Sequence, residues 1–547
     1  MLAARLCFSE IEPLIARLTS LLWHGGPAAC RPPCPAARAV ASRVAAARRG
    51  AVVREAGDPR AALHVPGRVL AGGEAAADRW PERRAAPRRR VPRHHAHPAA
   101  AVPQMGRRLC KTFLFWIGPI PAIFSIDLQL IKQVLTDRTG LYQKDFMIPV
   151  LKSLFGNGVI LINGDDWKRH RKVVLPAFNY EKIKSMSAVT AEVTRQMIQQ
   201  WGEQIHQSNS DKKAAEIDMI HAFNDLTANI NGRVAFGTTH RDVEEVIVLM
   251  REMQKIATAA MLDAPILWYL PTRRNLHVRR LNKQLRSKIM SIMQARLAAD
   301  GAKYGRGDTG SCGDDLLGLL LEAWTPHRQV RGGDTLTTDE VIDECKTFFA
   351  AGQETTATLL VWAMFLLAVH PQWQDKVREE VLREFPGGDS DDVVPNADVL
   401  AKLKLLHMAL LETSRLYPPV VYIQRKAASD TVLGGIKVTQ GTIISIPIGM
   451  LHRDKEVWGP DANEFNPMRF EQGVTKAAKD SKALLTFSLG PRVCTGQNFG
   501  IVQVQVVMAM ILSKFSISLS PAYVHKPKYL LSLTPRLGMP LILRNLL

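Results

Sequence analysis

The chain of 547 residues is 46% hydrophobic and 22% charged, which excludes a collagen-like or wholly disordered polymer and leaves apolar material for a large core. Its net charge of +20 is not by itself a sign of nucleic-acid binding, because the charge is concentrated at one end. Residues 1–110 hold 19 arginines, no lysine and seven acids, a net of +12, which leaves +8 for the other 437 residues.

That first segment is rich in Ala, Pro and Gly, as in Arg83-Arg84-Ala85-Ala86-Pro87-Arg88-Arg89-Arg90, and has few aromatics. It cannot bury enough apolar surface to offset its chain entropy, so it reads as low-complexity and disordered. It lacks the interleaved aromatics or the module of a nucleic-acid-binding arm, and no nucleic-acid partner is expected. Arg5, Glu10, Glu12 and Arg17 interrupt the opening residues, which excludes a simple spanning helix and makes a poor signal peptide. The seven cysteines, at 7, 30, 34, 110, 312, 345 and 494, are odd in number and scattered. They fit a reducing compartment better than a disulfide framework. Cys30 and Cys34 with His94, His95 and His97 match no standard zinc spacing.

From Lys111 onward the pattern becomes globular. Residues 113–126 read as a hairpin turned at Gly118-Pro119, followed by a short helix over 127–137. A charged helix over 165–174 is stopped by Pro176-Ala177-Phe178. Val189, Val193, Met197 and Trp201 recur every four residues and predict a helix over 187–206. Residues 216–236 and 241–262 predict two more helices, and the Gly-rich stretch 299–315 a flexible loop. Thr337 and Glu340 form a capping box that opens the longest predicted helix, running without proline to His370. It is apolar on most sides and should cross the middle of the domain. A further helix is predicted over 398–416, ended by Tyr417-Pro418-Pro419, with strand-like runs at 420–424, 442–448 and 529–544. The expected fold class is mostly α with a minor β lobe.

The most informative stretch is Phe487-Ser488-Leu489-Gly490-Pro491-Arg492-Val493-Cys494-Thr495-Gly496. A thiolate needs backbone donors, a helix N-terminus or cations nearby, and here two glycines and Arg492 flank a cysteine just ahead of an apolar helix. A structural cysteine in a Gly-Pro turn would ordinarily be preferred for a lone Cys. Against that, the segment matches Phe-x-x-Gly-x-Arg-x-Cys-x-Gly and so resembles the cytochrome P450 family. Glu412-Thr413-Ser414-Arg415, Pro467-Met468-Arg469-Phe470, Ala351-Gly352-Gln353-Glu354-Thr355-Thr356 and the Trp167/Arg171 pair follow the same resemblance in the family's order. Asn163–Lys172, Tyr269-Leu270-Pro271-Thr272, His452-Arg453-Asp454 and Trp458-Gly459 look like the plant clan that includes secologanin synthase, cytokinin hydroxylases and brassinosteroid-inactivating hydroxylases.

The resemblance covers residues 111–547, read as the haem-thiolate monooxygenase domain, and implies a triangular helical prism around haem b. It implies Cys494 as the axial iron ligand, with Phe487 and Gly496 in the same haem-binding loop. It also implies Trp167, Arg171, Arg425 and Arg492 as haem anchors, and Glu412, Arg415 and Arg469 as a buried structural cluster. Thr355 would hydrogen-bond dioxygen at the iron and Glu354 would help deliver protons. The mid-helix Gly352 is read as making room for the flat haem, against the alternative of a glycine between packed helices. Lys168, Arg169 and Lys172 are expected to be solvated and suited to docking a reductase. The implied partners are NADPH-cytochrome P450 reductase, since no dinucleotide fingerprint occurs in the chain, and a small apolar substrate with O2. The implied location is the cytosolic face of the endoplasmic reticulum membrane. Residues 1–110 depart from the family's membrane anchor and read as a GC-rich stretch translated in another frame or as an erroneous gene model. The rival functions are a relative that rearranges peroxides, disfavoured by the intact Glu354-Thr355 pair, and a haem-binding protein inactive as an enzyme.

Overall fold

The computed structural model describes residues 111–546, apart from 118–119, 145–148, 209–213, 238–240, 262, 264, 305–314, 325–334 and 387–393. The segment 1–110, its cysteines and histidines, and the Gly118-Pro119 turn lie outside the described residues.

Two apolar helices make the core. The first, Thr338–Val369, is capped by the Thr337 hydroxyl accepting from Glu340 N–H, while Glu340 accepts from Thr337 N–H at 2.8 Å. The second, Gln497–Lys514, is buried along nearly its whole length. Packed around them are Tyr180–Gln207, Met219–Phe236, Pro371–Glu384 and Lys404–Leu416, which share one apolar cluster with both. Arg241–Ala260, Arg273–Tyr304 and Leu316–Trp324 close a second cluster over the N-terminal half of Thr338–Val369. By length and composition Thr338–Val369 could cross a membrane, but it is mostly buried in this domain, so its apolarity is that of a core helix.

The β component is a five-stranded sheet ordered β1 (Thr112–Ile117), β2 (Ile120–Ser125), β8 (Ile443–Pro447), β5 (Tyr422–Ala427) and β3 (Tyr142–Gln143). Only the β2–β8 pairing is parallel. β4 (Ala214–Asp218), β12 (Pro540–Asn545) and β9 (Phe515–Leu519) form a second sheet. β6 (Thr431–Leu433) with β7 (Ile436–Val438), and β10 (Pro527–Tyr529) with β11 (Leu533–Pro535), are separate pairs.

The structure corrects several expectations. The helix expected over 216–236 begins only at Met219, because residues 214–218 pair with β12 and Asp218 then caps the helix by accepting from Ile220 N–H. The loop expected over 299–315 starts later, since Arg273–Tyr304 is helical to residue 304 and equals the central helix in length, 32 residues each. The helix expected over 398–416 is two, Ala397–Lys402 and Lys404–Leu416, parted at Leu403 with ψ 67°. The second starts without a cap of its own. Glu380 supplies one from a neighbouring helix, accepting from Leu405 N–H at 2.8 Å and Leu406 N–H at 2.9 Å. Gly352 fits both readings weighed for it: it lines the cavity that Cys494 also lines, and a Cβ there would also meet Asn231 Nδ2 of Met219–Phe236 at 2.9 Å.

Glu412, Arg415 and Arg469 come together in the interior. Glu412 and Arg415 are both fully buried and paired twice, at 2.6 and 2.7 Å. Arg415 also donates to the carbonyls of His452 and Ala462, each at 2.6 Å, and of Glu464 at 3.1 Å. Arg469 stands 3.6 Å from Glu412 and donates to Trp458 O and to Asp461. His452 extends the network: its Nε2 accepts from Leu485 N–H at 2.9 Å, so Nδ1 carries the hydrogen toward Arg415 O. Burial, with Arg415 beside it, pushes the His452 imidazole down to about 3.

Arg415→Met leaves the Glu412 carboxylate buried without its partner, and unfolding by urea should show a loss of about 3–5 kcal/mol. His452 gives a second test. It stays neutral in the folded state to about 3, whereas the unfolded chain protonates near the ordinary imidazole value. Below that value the unfolded state binds the extra proton, so stability falls as pH drops, at up to about tenfold in the folding constant per pH unit. Denaturation series between pH 7 and 5 should be shallower for His452→Gln than for the natural chain.

Candidate functional site

A cavity of about 600 Å³ lies between the two central helices, the five-stranded sheet and the loop carrying Cys494. That loop is held by backbone geometry. Cys494 N–H donates to Phe487 O at 2.9 Å, and Ser488 adopts φ 67°, a left-handed conformation unusual outside glycine. Gly490, φ 72°, passes so close to the Leu135 carbonyl at the end of Leu128–Leu135 that a Cβ would stand 2.2 Å from it. Upstream, Thr486 donates to Ser414 O at 3.3 Å, tying the loop to the helix that bears Glu412 and Arg415.

Phe487, Cys494 and Gly496 all line the cavity. The accessible surface of Cys494 is cavity surface, because the residue is enclosed by protein on its other sides. Burial raises the thiol, while the Gly496 N–H, Lys144 and Arg171 act in the opposite sense. Gly496 caps the N-terminus of Gln497–Lys514, so the sulfur stands at the positive end of a helix 18 residues long.

Around the same cavity stand four cations without a carboxylate partner among the described residues: Lys144, Arg171, Arg425 and Arg492. Arg171 of Gly164–Val174 donates to Val493 O at 3.1 Å and Thr495 Oγ1 at 3.3 Å. Arg492 lies over the Trp167 ring at 4.2 Å and donates to Ile162 O and Asn163 Oδ1, but its buried Nη1 has no partner. Arg425, 3% exposed on β5, donates only to Gln424 O, and burial lowers both Arg425 and Arg492 to about 10. Lys144 is pushed down by burial first and then by Arg425 and Arg492. A site that holds four such charges in each other's field calls for a polyanion of matching shape. No motif singles out Lys144, a lone lysine beside a two-residue strand.

Glu354 and Thr355 project from the central helix into the cavity wall. Thr355 Oγ1 donates to Ala351 O at 2.8 Å. Both oxygens of Glu354 are engaged: Ser532 Oγ donates to Oε1 at 2.5 Å and Gln254 Nε2 donates to Oε2. Thr358 donates on to Ser532 at 3.0 Å. Burial raises the Glu354 carboxyl, offset in part by these two donors. Gln254 and Ser532 were not legible as partners, since they lie 100 and 178 residues from Glu354. The basic surface expected at 168–172 is partly spent: Arg169 pairs with Glu340 at 2.5 Å and with Asp166, and Lys168 with Asp165 at 2.8 Å.

Comparison with known proteins gives a consistent result. The sequence model of the Cytochrome P450 family matches residues 89–541. Cytochrome P450 709B3 of Arabidopsis thaliana is 38% identical over 437 residues, covering 80% of this chain and 81% of the relative. Secologanin synthase 2 of Catharanthus roseus is 39% identical over 463 residues, 83% and 84% of the two chains. Cytochrome P450 734A1 of Arabidopsis thaliana is 36% identical over 439 residues, 80% of each.

The cation cluster gives a two-sided test. Lys144→Met relieves repulsion in the protein without haem and should raise its stability by chemical denaturation. If the cluster holds the carboxylates of a bound haem, the same substitution would remove a charge-assisted partner, and haem loss to a scavenger should speed up by about tenfold or more.

Proposed function

The chain belongs to the cytochrome P450 family and is a haem monooxygenase, and we propose that Cys494 is the thiolate ligand of its haem iron and that its substrate is an apolar or amphipathic small molecule. The observation that carries this reading is a cavity on which Cys494 and four cations without a carboxylate partner among the described residues converge. Haem b fits that donor set. Its two carboxylates would answer Lys144, Arg171, Arg425 and Arg492, with Arg492 Nη1 as the buried donor that lacks a protein partner. When bound there, haem supplies the oxygen-activating iron, and thiolate donation favours O–O cleavage.

The residues of this chain do the rest. The Gly496 N–H and the helix it caps stabilise the charge on sulfur. The Trp167 ring lies 4.2 Å from the Arg492 guanidinium carbon and restricts the side chain that carries the free Nη1. Burial raises the Glu354 carboxyl and so favours its protonated form, and Ser532 and Gln254 keep it at the cavity wall. Thr355 stands beside it as a hydroxyl able to turn from the Ala351 carbonyl toward the cavity. Apolar walls from Phe155, Leu359, Val420 and Ile423 exclude water and suit a terpenoid, steroid, fatty acid or plant hormone.

Electrons come from NAD(P)H through a reductase. The specific partner we propose is NADPH-cytochrome P450 reductase, on the cytosolic face of the endoplasmic reticulum. Tyr269 and Leu270, exposed just ahead of Arg273–Tyr304, support membrane contact there.

The reduced protein should give the strongly red-shifted Soret band of a thiolate-bound haem with carbon monoxide, and Cys494→Ala should lose it. An unshifted band in the natural chain would end the Cys494 assignment. With reductase present, Glu354→Gln should keep NADPH consumption while product formation falls by about 10²-fold, measured by parallel cofactor and product assays.

A further inference from the structure

Most polar side chains on the cavity wall have spent their hydrogen bonds on the protein. Glu354 is held by Ser532 and Gln254, Thr347 donates to Phe155 O, Gln424 donates to Ser445, and Glu344 meets His170. Two phenols differ. Tyr422 on β5 and Tyr529 on β10 bring their rings to 5.6 Å across the wall, and neither hydroxyl has a hydrogen-bond partner among the described residues. Both rings are partly accessible, yet burial raises both phenols, Tyr422 adding to the effect on Tyr529. Their accessible surface therefore faces the cavity and not bulk water.

Packing alone would be served as well by phenylalanine. A hydroxyl that the protein leaves without a partner but open to an enclosed cavity is free to bond a ligand there, and two such phenols with neighbouring rings on one wall can complete the same ligand. We propose that Tyr422 and Tyr529 are the polar anchor of the substrate site, and that the substrate is an apolar skeleton bearing an uncharged oxygen function, a hydroxyl or carbonyl, that they bind. This rests on the monooxygenase reading above and narrows its substrate class.

Three features set the chemistry. Both anchors are neutral donors, so a carboxylate held there would be desolvated without a counter-charge. Arg425 lies three residues along β5 from Tyr422, about 10 Å by strand rise, and belongs to the cation cluster that a dianion neutralises. The wall continuing from the pair is apolar, through Leu530, Leu531, Val420 and Ile423, and fits a hydrocarbon skeleton. Gripping one oxygen at a fixed place also selects which carbon is presented for oxidation.

The test is a titration of the haem-loaded protein with octan-1-ol, 2-octanone, octane and octanoate, followed by the shift of the haem absorption band. The alcohol and ketone should bind about tenfold tighter than octane, and octanoate should be the weakest of the oxygenated probes. Tyr422→Phe and Tyr529→Phe should each weaken the alcohol and ketone by about 3- to 10-fold and leave octane unchanged. Equal binding of alcohol and alkane, unaltered affinities in both variants, octanoate as tight as the alcohol, or no binding by any probe would each overturn the anchor. The carbon-monoxide band of each sample, recorded first, separates this failure from the other. A band without thiolate character defeats the monooxygenase site, whereas an intact band with unaltered affinities defeats the anchor alone.

Discussion

The Glu412–Arg415 pair is the interaction on which the rest of the site depends. Both side chains have lost all contact with water, and Arg415 spends its remaining N–H groups on the carbonyls of His452, Ala462 and Glu464. One helix thus anchors a long irregular stretch that has almost no secondary structure of its own. A buried ion pair is a weak source of net stability, because desolvation consumes most of the Coulombic gain. Its effect is positional: removing either charge leaves the other stranded, so neighbouring segments have one low-energy place to go. From that place His452 passes to Leu485, and Thr486 to Ser414, and the cysteine loop follows directly.

The cavity shows the opposite arrangement of charge. In the Glu412 network each charge has a partner, whereas Lys144, Arg171, Arg425 and Arg492 face one another with only a thiol among them. Such an arrangement is unfavourable for the polypeptide alone, and a dianion that occupied it would link cofactor binding to folding through these residues. Trp167 contributes without any charge, because its ring face holds Arg492 on one side while Arg171 lies near it at 5.6 Å.

Glu354 joins the two sides of the pocket. Its carboxyl is gripped by Gln254 from Arg241–Ala260 and by Ser532 from the turn between β10 and β11. The acid is therefore bonded to elements on both sides of the substrate space, and movement of either alters its surroundings. Tyr529 lies on the strand leading into that turn, so the phenol wall and the acid share a support.

Local pattern and short-range chemistry made much of this readable from the sequence alone. The capping box at Thr337, the apolar run to His370, the cysteine segment and the Glu412/Arg415 spacing all act within one or two turns, where residue identity and backbone geometry determine each other. Only the tertiary structure decided the rest. Residues 214–218 became a strand because β12, more than 300 residues away, offered an edge. The helix expected over 398–416 broke at Leu403 because Glu380 could cap a new start. That Gly352 also packs against Met219–Phe236 follows from Asn231, which occupies the space a side chain would need. Lys144, Gln254, Ser532, Tyr422 and Tyr529 carry no motif, and their meaning comes from what faces them across the cavity. Contacts between distant segments depend on where whole elements pack, and no local window of sequence contains that information.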